Sequence, residues 1–208
     1  MRTTRFVVAA LALSLSSAPL VAQQTAGTKA ISAVTPAATT YAIDTVHSEL
    51  SFRIRHLLGR VAGNFGDWEG TIAMDSVNPA NSSVNVTIRT ASIDTRVPAR
   101  DAHLRTNDFF AVDSFPTMTF KSTSVSREGR HLRIAGDLTI RGRTKPVVLN
   151  GTYEGRFPDP WGKMRTAFIA STTINRQDFG VAFNGPFLDI GQIGDEVWIE
   201  IAVEAVQL

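Results

Sequence analysis

Apolar and polar residues alternate with a period of two over most of the chain beyond residue 40. Leu50, Phe52 and Ile54 alternate with Ser51, Arg53 and Arg55, and Val84, Val86 and Ile88 with Asn85, Thr87 and Arg89. The same pattern holds at Met118 and Phe120, at Leu132 and Ile134, at Leu138 and Ile140, and at Val147 and Leu149. Val197, Ile199, Ile201 and Val203 alternate with Trp198, Glu200, Ala202 and Glu204, and residues 167–174 are strand-like with both faces partly apolar. Such alternation marks half-buried strands, because successive side chains of a strand point to opposite faces. Turn residues fall between the runs at Asn78-Pro79, Glu128-Gly129, Arg141-Gly142 and Pro158-Asp159-Pro160. The pattern predicts about eight strands with short connections, hence antiparallel pairing and an all-β fold. Residues 98–110 are the exception: Pro98 suits a first helical turn, Ala99 and Ala102 favour helix, and Leu104 supplies an apolar contact. A second short helical piece is expected near residues 186–190. Eight strands with one apolar face either stack as two sheets or close on themselves, and closure removes exposed edges. Alternation alone does not separate the two. An eight-stranded barrel has an interior that side chains fill or that holds one small ligand.

The chain has 208 residues, 43% of them hydrophobic and 19% charged, which is globular composition without a run long enough for a membrane helix. Residues 1–22 read as a secretory signal peptide: Arg2 and Arg5 give a positive start, residues 6–13 a short apolar core, and Leu20-Val21-Ala22 a cleavage point before Gln23. Residues 23–40, rich in Ala, Thr and Ser, read as a flexible tail, and residues 41–208 as one folded domain. The expected compartment is the periplasm, or the medium if secretion is complete. The formal charge of +2 comes from 21 basic and 19 acidic residues; removing Arg2 and Arg5 leaves 19 against 19. A neutral mature chain has no field to steer it to phosphate backbones, so nucleic acid is not an expected partner. With no cysteine, disulfides, thiol nucleophiles, thiolate metal sites and lipid-carrying cysteines are excluded.

Reaction signatures are missing. There is no G-x-S-x-G and no H-E-x-x-H. Gly136 to Lys145 echoes a phosphate loop, but its glycine spacing is one too long and it joins two strands, as a hairpin turn does. Gly59 to Gly66 is no dinucleotide fingerprint for the same contextual reason. His47, His56, His103 and His131 lie in separate segments with no chelating spacing, so no metal site is expected. The densest polar cluster is residues 100–105. On a helix, Arg100 and His103 share one face and Asp101 can pair with Arg105. It is either a solvated, self-neutralised helix or a polar group at a barrel mouth. Residues 175–180 read as a turn closed by Gly180, or else present Arg176 or Asp178 to that mouth. Phe109, Phe110, Phe115, Phe179, Phe183 and Phe187 concentrate phenylalanine outside the strands, as a plug for a core or a gate for an apolar cavity.

An ordered set of motifs then points to a family. Tyr41-Ala-Ile-Asp44-x-x-His47-Ser48, with Phe52 and His56, is followed by Gly63-Asn-Phe65, Ser92-Ile-Asp94-Thr95 and Arg100-Asp101-x-His103-Leu104. Asp108-Phe-Phe110, Phe115-Pro116, Gly136-Asp-Leu-Thr139, Thr144-Lys-Pro-Val147, Asn175-Arg176-x-Asp178-Phe-Gly180 and Gly194-Asp-Glu-Val197 complete it. The set resembles the YceI-like family of polyisoprenoid-binding proteins, from Tyr41 to Leu208. The resemblance implies an eight-stranded antiparallel lipocalin-like barrel with a short helix across it and a long apolar tunnel inside. It implies an isoprenoid quinone, a polyprenyl phosphate or a fatty amphiphile as ligand, with no required cofactor and no enzyme activity. Export, a homodimer, transient contact with a membrane surface and a link to stress responses are further implications. Residues 183–193 depart from many members, which leaves the ligand less defined than the fold.

On this reading the candidate head-group residues are His47, His56, Arg100, Asp101, His103, Arg176 and Asp178. The candidate tunnel wall is Phe52, Ile54, Val86, Ile88, Phe109, Phe120, Ile134, Leu138, Phe168, Phe179 and Ile199. Two rivals stay open: an enzyme using a histidine as general base near Asp44 or Asp101, and a sealed barrel acting through its surface.

Overall fold

The computed structural model describes residues 38–183 and 193–208. The signal peptide, the tail up to residue 37 and the helical piece expected near 186–190 lie outside the described residues, as does Phe187. The strands are β1 (Thr39–Ile43), β2 (Glu49–His56), β3 (Gly59–Phe65), β4 (Trp68–Met74), β5 (Ser83–Arg89), β6 (Ile93–Asp94), β7 (Thr117–Glu128), β8 (His131–Ile140), β9 (Arg143–Pro158), β10 (Met164–Asn175) and β11 (Ile193–Gln207). One helix, α1, spans Pro98–Arg105. β1 takes in Thr39 and Thr40, so the barrel starts two residues before the expected boundary.

The sheet closes in the order β1-β4-β5-β7-β8-β9-β10-β11 and back to β1, every pairing antiparallel. The barrel is therefore eight-stranded, as expected. β2, β3 and β6 continue the wall from β11. β11 pairs with β2 through residues 193–202 and with β1 through residues 205–207, so β1 and β2 share one edge. β3 then pairs with β2 and β6, whereas β4 pairs with β1 and β5. The break between β1 and β2 is where the Asp44-x-x-His47-Ser48 motif sits. Asp44 accepts the Val46 N–H at 3.1 Å to shape a 3-10 turn, and the Ser48 hydroxyl donates to the Asp44 carbonyl at 2.7 Å. The Glu204 N–H donates to Ser48 Oγ at 2.9 Å, which pins the bend to β11.

α1 is shorter than the pattern suggests. Thr106 donates both its N–H and its hydroxyl to the His103 carbonyl, and Ala111 adopts φ 49, so the chain coils into turns after Arg105. Arg105 donates to the carbonyls of Ala91 and Ile93, both at 2.8 Å, tying α1 to the β6 segment. The glycine-rich run at 59–66 is strand β3. A Cβ on Gly63 would lie 2.6 Å from the Phe52 ring and 2.8 Å from the Asp94 carbonyl oxygen, so only glycine fits there. Arg141 and Gly142, at φ 49 and 69, form the two-residue β8–β9 turn, a geometry that matches the twist of the strands it joins.

Candidate ligand cavity

Inward-facing side chains do not fill the barrel. They surround a cavity of about 530 Å³. All eleven candidate wall residues line it, from Phe52 and Ile54 on β2 to Ile199 on β11, and of the loop phenylalanines Phe109, Phe110, Phe179 and Phe183 do so while Phe115 does not. Trp68, Met118, Leu149, Ile174, Ile201 and Val203 complete a largely hydrocarbon wall, interrupted by the hydroxyl residues Ser51 and Thr172. Polar side chains gather at the ends. At the α1 end stand Arg55, His56, Arg100, His103 and Arg176, beside Phe109, Phe110 and Phe183. At the other end stand Asp75, Ser82, Arg127 and Tyr153, with the Arg127 guanidinium carbon 5.1 Å from the centre of the Tyr153 ring.

Of the seven head-group candidates, His56, Arg100, His103 and Arg176 border the cavity. Arg100 is fixed by Thr95, donating Nε to its hydroxyl at 2.7 Å and Nη2 to its carbonyl at 2.9 Å. His103 Nε2 lies 2.8 Å from Asp108 Oδ2, and its ring meets Phe109 and Phe183 edge-on, each with centroids 5.1 Å apart. Arg176 is 4% exposed and donates to the carbonyls of Gly194, Val181 and Phe183 at 2.8, 2.6 and 2.9 Å. Burial pulls its pKa below the usual arginine value, and Asp195 opposes this. These bonds close the chain after β10, so Arg176 braces the wall at the cavity's end.

The other three lie off the cavity. Asp101 is buried and accepts the N–H (2.9 Å) and hydroxyl of Thr95. Burial pushes its carboxyl up, but the Thr95 bonds and nearby Arg105 and Arg100 outweigh this and hold it below the ordinary range. The expected Asp101–Arg105 side-chain pair is replaced by these bonds, because Arg105 is spent on backbone carbonyls. His47 sits on the 3-10 turn, exposed, with Nδ1 2.9 Å from Asp44 Oδ2. Arg165 Nη1 lies 2.7 Å from Asp44 and 2.5 Å from Glu204, placing its own cation in that carboxylate group. Together Arg165 and His47 hold the Asp44 carboxyl down at about 2. Asp178 is exposed on the 3-10 turn of residues 176–179, which ends at Gly180 with φ 75.

Sequence reading missed Arg127 and Val125, which also border the cavity. Alternation from Met118 and Phe120 places Ser122, Ser124 and Ser126 inward. A bulge between Ser122 and Ser124 shifts the register, so Val125 pairs with Ile134 and Arg127 with Leu132, and these two turn inward. Sequence reading also missed the strand β4, whose Trp68, Ile72 and Met74 stand on the wall.

A closed antiparallel barrel with a short helix at one end and an apolar cavity on its axis is a lipocalin-like binding barrel. The chain belongs to the YceI-like family, whose domain model matches residues 41–205. It is 44% identical over 162 residues to protein YceI of Shigella flexneri, covering 77% of this chain and 82% of that one, and equally to protein YceI of Escherichia coli O157:H7. The Campylobacter jejuni YceI protein structure is 30% identical, with a TM-score of 0.65 over 73% of this chain and 87% of its own. Burkholderia cenocepacia BcnA has the same fold, with a TM-score of 0.70 at 23% identity over 78% of this chain and 98% of its own. So does a Saccharophagus degradans domain described as polyisoprenoid binding, at 0.61 and 14% identity over 82% and 99%.

Proposed function

We propose that the protein carries or sequesters a long-chain amphiphile, an isoprenoid quinone or a polyprenyl phosphate, with its chain inside the barrel. The observation that carries this reading is the largely hydrocarbon wall around a void of about 530 Å³, with its charged groups gathered at the ends. Pockets for organic ligands run from roughly 300 to 1,000 Å³. Each methylene buried contributes roughly 0.8 kcal/mol, so one five-carbon unit contributes about 4 kcal/mol before ordering costs. A chain of a few units is thus retained by burial alone, and Arg100, His103 and His56 are left to select the head group. The polyisoprenoid binding described for the Saccharophagus degradans relative points the same way, as analogy. The role is binding without turnover, which agrees with a wall of hydrocarbon. With residues 1–22 read as an export leader, the proposed site of action is the periplasm.

The test is mass spectrometry of an organic extract of the purified protein, beside native mass spectrometry of the intact complex. A stoichiometric isoprenoid is the expected result. A clean apo protein that takes up neither added quinone nor polyprenyl phosphate would overturn the proposal in favour of a barrel acting through its surface.

A further inference from the structure

The barrel end opposite α1 carries an apolar rim that the cavity does not explain. Pro158 pairs with Met164, Arg165 with Val206, Gln207 with Tyr41 and Thr39 with Met74. This register brings the β9–β10 hairpin, the C-terminus and the β4–β5 connection to one end. Trp161 and Phe157 on the hairpin are 82% and 74% exposed, and Leu208 and Val77 beside them 76% and 71%. Single exposed apolar residues are ordinary, but a group on one rim marks an interaction surface.

These side chains are displayed by ordered turns. Asp159 Oδ1 accepts the N–H groups of Trp161 and Lys163 at 3.0 and 2.8 Å, and its Oδ2 accepts Arg165 Nε at 3.1 Å. Asp75 does the same for the β4–β5 turn, accepting the N–H groups of Val77 and Asn78 at 2.9 and 2.8 Å and the Asn81 amide at 3.0 Å. The carboxylate at the hairpin tip, Asp159, bonds Arg165, which also bonds Asp44 and Glu204, and Glu154 on β9 pairs with Arg130. Arg156 and Lys163, both exposed, flank the two aromatics. An aromatic pair between two cations suits the boundary of an anionic bilayer. The rings sit at headgroup level and each cation near the surface contributes roughly 1 kcal/mol.

We propose that this rim docks the barrel onto an anionic lipid bilayer, with Trp161 and Phe157 at the headgroup–acyl boundary and Arg156 and Lys163 at lipid phosphates. Docking would turn the cavity end bounded by Tyr153 and Arg127 toward the lipid. The proposal rests on the surface and stands whether or not the cavity holds an isoprenoid.

The test is co-sedimentation of the purified protein with vesicles of equal parts phosphatidylglycerol and phosphatidylcholine, against phosphatidylcholine alone. Quenching of tryptophan emission by brominated lipid is read in parallel. The expected result is binding to the anionic vesicles, weakened at least about tenfold in the F157A/W161A double variant. R156E/K163E loses the preference for anionic lipid, while Trp198→Ala, at an exposed tryptophan on the barrel side, binds as wild type. Thermal melts confirm that the variants are folded. Equal binding by F157A/W161A, or no binding to anionic vesicles, would overturn the proposal. So would a solution dimer that this double variant dissociates, which assigns the rim to a second copy of the chain. A cavity-blocked variant that still binds vesicles separates this surface from the carrier reading.

Discussion

Ala170→Phe tests whether the cavity holds the ligand. Ala170 lies on the cavity wall midway along β10, opposite Gly151 on β9 and Ile201 on β11. A phenyl ring at this position projects into the void and displaces about one five-carbon unit of a bound chain. At roughly 0.8 kcal/mol per methylene the loss is about 4 kcal/mol, near a thousandfold in affinity. A chain that slides or folds past the ring recovers part of this, so the expected loss is between roughly tenfold and a thousandfold. Because the ring enters a void and not a filled core, the stability of the ligand-free protein should change by less than about 1.5 kcal/mol. Ile169→Phe is the internal control, since Ile169 is the exposed neighbour on the opposite face of the same strand. Native mass spectrometry titrations with polyprenyl phosphate, beside denaturant unfolding, give both quantities. Wild-type affinity in a folded Ala170→Phe protein, or an equal loss in Ile169→Phe, would refute the cavity as the binding site.

Arg176→Met removes the donor to the carbonyls of Gly194, Val181 and Phe183, and is expected to cost about 3 kcal/mol in guanidinium unfolding. Gly136→Ala places a Cβ 2.5 Å from the Phe120 ring and 2.6 Å from the Lys121 carbonyl oxygen. The expected loss is about 1 to 3 kcal/mol, read by the same unfolding midpoint. Asp44 has a folded pKa of about 2, below its ordinary 3.8, so its stabilisation is full above pH 4 and lost as the pH falls through 2. Asp44→Asn should flatten that acid limb in urea unfolding between pH 2 and 5, by about 1 to 2 kcal/mol given the solvent around the group. Asp101→Ala should lower stability by about 2 kcal/mol without altering head-group preference, whereas His103→Ala should alter preference with little effect on the unfolding midpoint.

Alternation identified the wall wherever a strand runs unbroken, as in β5 and over residues 197–203 of β11, because one apolar face needs no knowledge of its partner. It failed where the backbone departs from a plain ladder. The β7 bulge exchanged serines for Val125 and Arg127, and an extra residue in one strand has no signature in the residues around it. β3 was hidden for a different reason. Gly63 is required by the close approach of Phe52 and Asp94, and a strand that gives up a side chain for such contact loses half its pattern. The family motif at Asp44–Ser48 was visible, but its role as a bend between two strands sharing the edge of β11 was not.

The polar candidates divide on a finer point. Helical spacing correctly grouped Arg100 with His103 and set Asp101 and Arg105 on another face. The first face borders the cavity, and the second is bonded to Thr95, Ala91 and Ile93. A charged residue type states that a partner is required, and not whether the chain or a ligand supplies it. Asp101, Asp44 and Arg176 find theirs within the fold, in carbonyls, hydroxyls and an arginine fixed by long-range pairing. Arg100 and His103 are also held by neighbours, yet like Arg176 they reach the apolar cavity, which Asp101 and Asp44 do not. A site residue here is thus distinguished by what lies beyond its hydrogen bonds, which depends on where eight strands close and not on any local run of sequence.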